Sequence, residues 1–390
     1  MKTQKKTTKN KKQKAGGIIS MVIILLIGFA AGWLVTAYAD RAGGADTESG
    51  AFLIRLLYLV FCIYLAFFQQ GAVHEAGHLI CGLLSGYGFA SYRIGSLMWI
   101  KQDGKVRFKR FSIAGTGGQC LMTPPELTEE GMPYVLYNLG GVLMNLILAA
   151  LCLCADFLWA ENWYLSAFLI VTALSGVWLA AVNGIPLKLG LLNNDGRNIL
   201  DISRNRDELR AFWLQMKVAE QQAKGVRLKD MPAEWFRMPE EEKMKYTMTS
   251  ACAVLAANRL MDEHAFEETA ELIVKLLNMD SALIGIYRFL LMADRIYCEL
   301  VGERRPEVLE QWENKESRRI IKQMKNYLSV IRTEYAYALL KERDVQKAEK
   351  IRKRFEKNAR SYPYPADAQS ERELLDIADG RQDIQAGNIE

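Results

Sequence analysis

The sequence predicts an all-α polytopic membrane protein, with about four transmembrane helices and a β-hairpin between the second and third, followed by an all-α cytosolic domain built as a helical repeat or bundle. Three observations lead there. Four stretches, 15–39, 56–73, 131–155 and 162–187, are apolar and contain no Asp, Glu, Lys or Arg. Between the second and third, apolar and polar residues alternate around a turn signal. From about residue 201 the chain becomes polar, with apolar residues at helical spacing. The expected organisation is a basic tail (1–14), a first transmembrane helix (15–40), a membrane core (51–200) and a helical domain (201–390).

The overall figures of 50% hydrophobic and 24% charged average two unlike halves. Lys and Arg number 16 before Arg197 and 34 from there on, Asp and Glu 11 and 34, so the net charge of +5 arises in the first half. Seven lysines lie within the first fourteen residues, with no acid among them and an apolar run directly after. That order suits a juxtamembrane anchor better than a nucleic-acid tail, and no nucleic-acid partner is expected.

A hydrocarbon core of about 30 Å needs roughly 20 apolar residues in helical form, which each of the four stretches approaches or exceeds. The first is too long for the apolar part of a secretory signal and lacks a clear small-residue cleavage site, so it reads as a permanent helix. Positive charge sets orientation. The loop after the first stretch carries Asp40, Arg41, Asp46 and Glu48, and the loop after the third carries Asp156 and Glu161. The segment after the second instead holds Arg93, Lys101, Lys105, Arg107, Lys109 and Arg110. The tail, this middle segment and the C-terminal half are therefore expected in the cytosol, in a multi-pass protein of the cell membrane.

In the middle segment, 91–100 and 105–113 alternate around Gln102-Asp103-Gly104, a hairpin signal. Such a hairpin either connects two spans or offers a strand edge to an unwound substrate. In the C-terminal half, helical pairs are expected at about 243–259 with 265–277 and 327–340 with 345–358. The second pair, with Phe355 and Pro363 after it, looks like a degenerate tetratricopeptide unit; a generic bundle is the other reading. A cytosolic protein partner could bind there, and His264 reads as a packing residue. The seven cysteines show no CxxC spacing and indicate neither a disulfide framework nor a cysteine zinc site.

At the end of the second apolar stretch stands His74-Glu75-Ala76-Gly77-His78, an HExxH pattern. Positions i and i+4 share a helix face, so both imidazoles can reach one tetrahedral zinc with Glu75 beside it. By residue frequencies the pattern arises by chance in on the order of one chain in a hundred of this length. Two of the chain's three histidines form it, at a depth where ionisable groups are costly and functional. A catalytic zinc keeps three protein ligands and one open position. The end of the fourth stretch, expected on the same face of the membrane, runs Asn183-Gly184-Ile185-Pro186 to Asn193-Asn194-Asp195-Gly196. Asp195 is the candidate third ligand, because Asp156 and Glu161 fall on the opposite face. The alternative is that Asn-Asp-Gly is a turn capping the next helix.

Together these residues resemble the site-2 protease family of intramembrane zinc metallopeptidases, over roughly 56–200. The family's first motif is matched by His74 to His78, its glycine-and-asparagine motif by Gly140-Gly141-Val142-Leu143-Met144-Asn145, and its last by Asn183, Pro186, Asp195 and Gly196. The chain departs from the last motif in having Lys188 and in placing Asn194 before Asp195, and it has no PDZ-like insertion. The resemblance is to the smaller, bacterial-type members. It implies a Zn2+ cofactor held by His74, His78 and Asp195. Zinc would polarise the scissile carbonyl and acidify water, while Glu75 would act as general base and later protonate the leaving amine. Asn145 and Asn183 would donate to substrate or oxyanion, or else bond helix to helix. The expected activity is intramembrane proteolysis of a single-span membrane protein or a leftover signal peptide. A non-catalytic scaffold recruiting partners and a peptide-processing component of an export pathway are the competing readings.

Overall fold

A computed structural model of the chain describes residues 49–387 except 103, 113–116, 187, 190 and 191. The basic tail, the first apolar stretch and Asp46 lie outside the described residues. The described chain is mostly helical, with thirteen α-helices and a four-stranded antiparallel sheet. Three helices are long and apolar enough to cross a membrane: α1 (Ser49–Leu84), α2 (Val135–Trp159) and α3 (Trp163–Gly184). By internal contacts the chain forms two compact units. One holds the described residues up to His74 together with Gly141–Val182, and the other holds Glu75–Gly140 and everything from Asn183. Helix α1 runs through both.

In the first unit, α1 turns Cys62 and Ala66 inward, one helical turn apart, onto Trp163, Ala167, Ile170 and Val171 of α3. Small residues at such a seam let helix backbones approach closely, which is how helices associate where apolar surface alone gives no preference. Ala149 and Cys152 of α2 meet Ala173 of α3 in the same manner. The large apolar side chains point the other way: Tyr64 is 76% exposed and Phe157 84%. An apolar exterior over small, buried seams is the pattern of a bundle solvated by lipid.

In the second unit, the segment expected as one hairpin is a sheet of four strands, β1 (Gly88–Ile94), β2 (Leu97–Gln102), β3 (Lys105–Arg110) and β4 (Gly118–Thr123), in the order β3-β2-β1-β4. The expected strand 91–100 is broken because Gly95 takes φ +57°, which folds the chain back so that Ile94 faces Leu97. The expected turn at Gly104 is present, with φ +74° and Gln102 opposite Lys105. Strand β4 carries no alternating signal because both its faces are largely covered. Tyr92, Trp99 and Phe108 stand opposite one another across β1, β2 and β3, with ring centroids 6.0 and 5.5 Å apart.

Ten helices follow, beginning with α4 (Asp195–Arg204) and α5 (Arg206–Ala223). The expected pairs appear as α6 (Thr247–Asp262) with α7 (Phe266–Asn278), and α11 (Leu328–Ala336, extended by a π-turn to Lys341) with α12 (Val345–Ser361). Between them lie α8 (Gly285–Val301), α9 (Pro306–Glu313) and α10 (Lys315–Gln323), and α13 (Pro365–Gly387) closes the chain. Buried Glu208 of α5 accepts from the amides of Met248 and Thr249 and from the Thr249 hydroxyl, at 3.3, 2.8 and 2.7 Å, so one carboxylate satisfies the start of α6. The sheet is docked on these helices. Gln102 and Lys109 donate to the carbonyls of Pro363 and Tyr362, and Met98 and Ile100 pack against Ala223 and Tyr364.

Candidate metal centre

His74 and His78 stand one turn apart on α1, as the HExxH spacing requires. Asp195 is the first residue of α4, capped by Asn194, whose Oδ1 accepts from the Arg197 amide at 2.9 Å. Both readings of the Asn-Asp-Gly segment therefore describe the same turn. Asn194 caps the helix and Asp195 presents its carboxylate to His78. The ligand atoms of His74, His78 and Asp195 all lie within 4.8 Å of one another. Nε2 of His78 is 3.4 Å from Oδ2 of Asp195. Two ligands each about 2.0–2.1 Å from a tetrahedral zinc are about 3.3 Å apart, whereas an ordinary N–H···O bond centres near 2.9 Å. That spacing suits an ion pair and also two ligands of one metal.

The tautomers can be worked out from obligatory acceptors. Nδ1 of His78 lies 2.8 Å from the carbonyl of Tyr137, which can only accept, so Nδ1 carries a proton and Nε2 is the nitrogen turned to Asp195. His74 is settled by a longer relay within the first unit. Gln70 Nε2 donates to the Thr172 carbonyl at 2.9 Å, which turns Gln70 Oε1 towards Asn145. Asn145 Nδ2 donates to that oxygen at 2.7 Å and to the Gln70 carbonyl at 2.8 Å. Its Oδ1 must then face Nδ1 of His74, at 2.8 Å, and accept from it. Both imidazoles therefore present Nε2 as the donor atom for a metal, each held by a hydrogen bond at its other nitrogen.

Three glycines make room for this. A Cβ on Gly141 would stand 2.4 Å from the His74 ring, and one on Gly140 2.3 Å from the Gly77 carbonyl. On Gly196 it would meet the Gly184 carbonyl at 2.0 Å. Any side chain there would push α2 or α4 off its neighbour. Glu75 lies against the first residue of β4, where a Cβ on Gly118 would come within 2.7 Å of its carboxylate. Beside it Arg93, 1% exposed, donates to the carbonyls of Gly95 and Gly118 at 2.7 and 3.2 Å. The sheet thus brings β4, rather than the β2-β3 hairpin, to Glu75. The outer edge of β4 is partly covered, since the Tyr137 hydroxyl donates to Cys120 O at 3.0 Å.

Asn145 is engaged at both ends of its amide, as the helix-to-helix reading has it. Asn183 sits near the end of α3, partly buried, with its carbonyl beside Gly196. The partners that motif spacing did not single out are Gln70, Tyr137, Arg93 and Gly118. Gln70 had a signal, being a polar residue one turn before His74 inside an apolar run. Tyr137 acts through its backbone and Gly118 through its lack of a side chain, which leave no mark in the pattern.

Asn145→Leu keeps the volume but removes the acceptor that orients His74. It is expected to weaken zinc binding by about 10- to 100-fold in competition against a chromophoric chelator. Unchanged affinity would show that the relay does not tune the site. Comparison with protein-family models, with curated proteins and with solved structures gave no match.

Proposed function

We propose that the chain is a membrane-embedded zinc endopeptidase, cutting peptide bonds of membrane-spanning substrates within or beside the bilayer. The observation that carries this reading is the group of His74, His78 and Asp195, its two imidazoles turned Nε2-inward, with Glu75 on the same helical turn. Two imidazoles and one carboxylate are a donor set suited to zinc, and they leave its fourth position open. Bound there, zinc would supply Lewis acidity and acidify water. Glu75 takes the proton from the attacking water and returns it to the leaving amine. Asn145, Gln70 and the Tyr137 carbonyl hold the imidazoles still, so that no reorganisation is needed when the reaction occurs.

A helical substrate keeps its peptide bonds paired and must be unwound to be cut, and a sheet edge can pair with the unwound strand. Strand β4 begins against Glu75, so a substrate segment entering there would meet the general base directly. The substrates expected are single-span membrane proteins or leftover signal peptides. The resemblance to site-2 proteases points the same way. A non-catalytic scaffold would have no use for an intact Glu75 beside three aligned ligand atoms. A role in an export pathway shares the chemistry and differs only in substrate.

Two outcomes test this reading. Glu75→Gln should retain its metal and lose about 10²- to 10⁴-fold in cleavage of a single-span reporter, because an amide cannot take the proton. Cleavage near the wild-type rate would contradict the assignment. Topology is the second test. Single cysteines added to the N-terminal tail, the β2-β3 turn and α13, in a variant lacking native cysteines, should label from the cytosol, and one at Glu161 from outside. Labelling of the α13 cysteine only from outside would overturn the orientation.

A further inference from the structure

The C-terminal helices line a partly open cavity of about 220 Å³ that carries several charged side chains. Four carboxylates line it, Asp262, Asp294, Asp367 and Glu371, against two guanidinium groups, Arg227 and Arg332. Most are spoken for. Arg227 pairs with Asp262 at 2.5 Å and also with Glu373, and Arg332 holds Asp294 at 2.5 Å and Glu371 at 3.0 Å. The carboxylate of Asp367 accepts from a neutral donor, the amide of Gln222 from α5, and has no cation within ion-pair distance among the described residues. Two carboxylates, Asp367 and Glu371, stand one turn apart on α13 and so share its inward face.

A second observation is independent of this acidic excess. Arg332 is 1% exposed, and its guanidinium is fixed by Asp294, by Glu371 and by the face of Tyr297, with 4.4 Å from its carbon to the ring centroid. Its Nη1 is buried with no hydrogen-bond partner among the described residues. A buried donor left unmade is costly, and a half-buried carboxylate without a counter-charge adds to the imbalance. The cavity therefore offers both an unmatched anion and an unmatched donor, walled in part by the aromatic rings of Tyr287, Tyr327 and Tyr362. The complementary ligand carries a cation and a nearby acceptor oxygen.

We propose that this cavity binds a basic amino-acid group, its ammonium or guanidinium against Asp367 and Glu371 and its carbonyl or carboxylate oxygen on Nη1 of Arg332. A free amino acid and a lysine or arginine of a peptide present the same recognition chemistry. The cavity belongs to the helical half and takes no part in the metal centre, so the inference stands apart from the peptidase reading.

Titration gives the binding a signature. Burial first, then the nearby carboxylates Glu371 and Asp262, push Asp367 up to about 7 despite the Gln222 hydrogen bond. Burial likewise lifts Glu371 to about 6, opposed by Arg332 and reinforced by Asp294. A bound cation favours the ionised carboxylates, so binding near pH 7 releases a proton, and it weakens as pH falls through these values.

The test is calorimetry on the full chain in detergent, with L-arginine, L-lysine, putrescine and a capped lysine tripeptide as probes. Saturable binding is expected for arginine or lysine, free or within the peptide, with putrescine weaker because it has no acceptor oxygen for Arg332. Affinity at pH 8 should exceed that at pH 5.5 by at least about tenfold, with a heat that depends on buffer ionisation. Asp367→Asn should weaken binding at pH 8 by about tenfold or more and reduce the buffer dependence measured near pH 7. Tight binding of the free amino acid alone identifies a small-molecule site, and of the peptide alone a docking site. No saturable binding by any probe, or equal affinity and buffer dependence in Asp367→Asn, overturns the proposal. If that variant does not fold, the wild-type pH and buffer dependence decides.

Discussion

An imidazole inside an apolar helix can be kept only if the groups around it meet its hydrogen-bonding needs, and the rest of the metal centre follows from how His74 solves that. Its Nδ1 proton goes to Asn145, the Asn145 amide goes to Gln70, and Gln70 ends on the Thr172 carbonyl. Each link has one permitted direction, because the last acceptor is a backbone carbonyl. A relay of this kind ties α1, α2 and α3 together where apolar contact alone would let them slide. It also decides chemistry, since it leaves the lone pair of His74 on Nε2. The Nδ1 proton of His78 is held by a shorter route, through the Tyr137 carbonyl.

Close approach is the second requirement, and it is met by leaving out side chains. Gly140 and Gly141 bring α2 against Gly77 and His74, and Gly176 does the same for Gln70, where a Cβ would stand 2.4 Å from the amide nitrogen. Gly196 lets α4 begin against Gly184, which sets Asp195 at its place beside His78. Glu75 meets the sheet at Gly118, and buried Arg93 braces the carbonyls on that side. Glu75 thereby rests against β4, a strand that itself rests on the C-terminal helices through its sheet.

What could be read from the sequence divides along physical lines. The grouping of His74, His78 and Asp195, with Glu75 beside His74, was legible because ligand chemistry requires particular side chains at particular spacing, and three of the four apolar stretches were legible as long apolar helices because an uncharged run of that length favours one. The four-stranded sheet was legible only as a hairpin. The break at Gly95 hides in an alternating run, and β4 is covered on both faces, which erases the period-two signal. Helices α8, α9, α10 and α13 escaped because no repeat signature marks them. Gln70 could have been found as a polar residue in an apolar run. The Tyr137 carbonyl could not, since every residue has one. The charged cavity of the helical half left no trace, for its carboxylates and arginines come from elements far apart in sequence and look like ordinary surface charge.

The claim on which the account rests is that one metal is held by His74, His78 and Asp195. X-ray absorption at the zinc edge of the metal-loaded chain tests it most directly. The account predicts a shell of nitrogen and oxygen only, at about 2.0–2.1 Å, with the outer scattering of two imidazoles and no sulfur. Sulfur in that shell, at about 2.3 Å, or the imidazole pattern surviving unchanged in a His74→Ala, His78→Ala double variant, would contradict it.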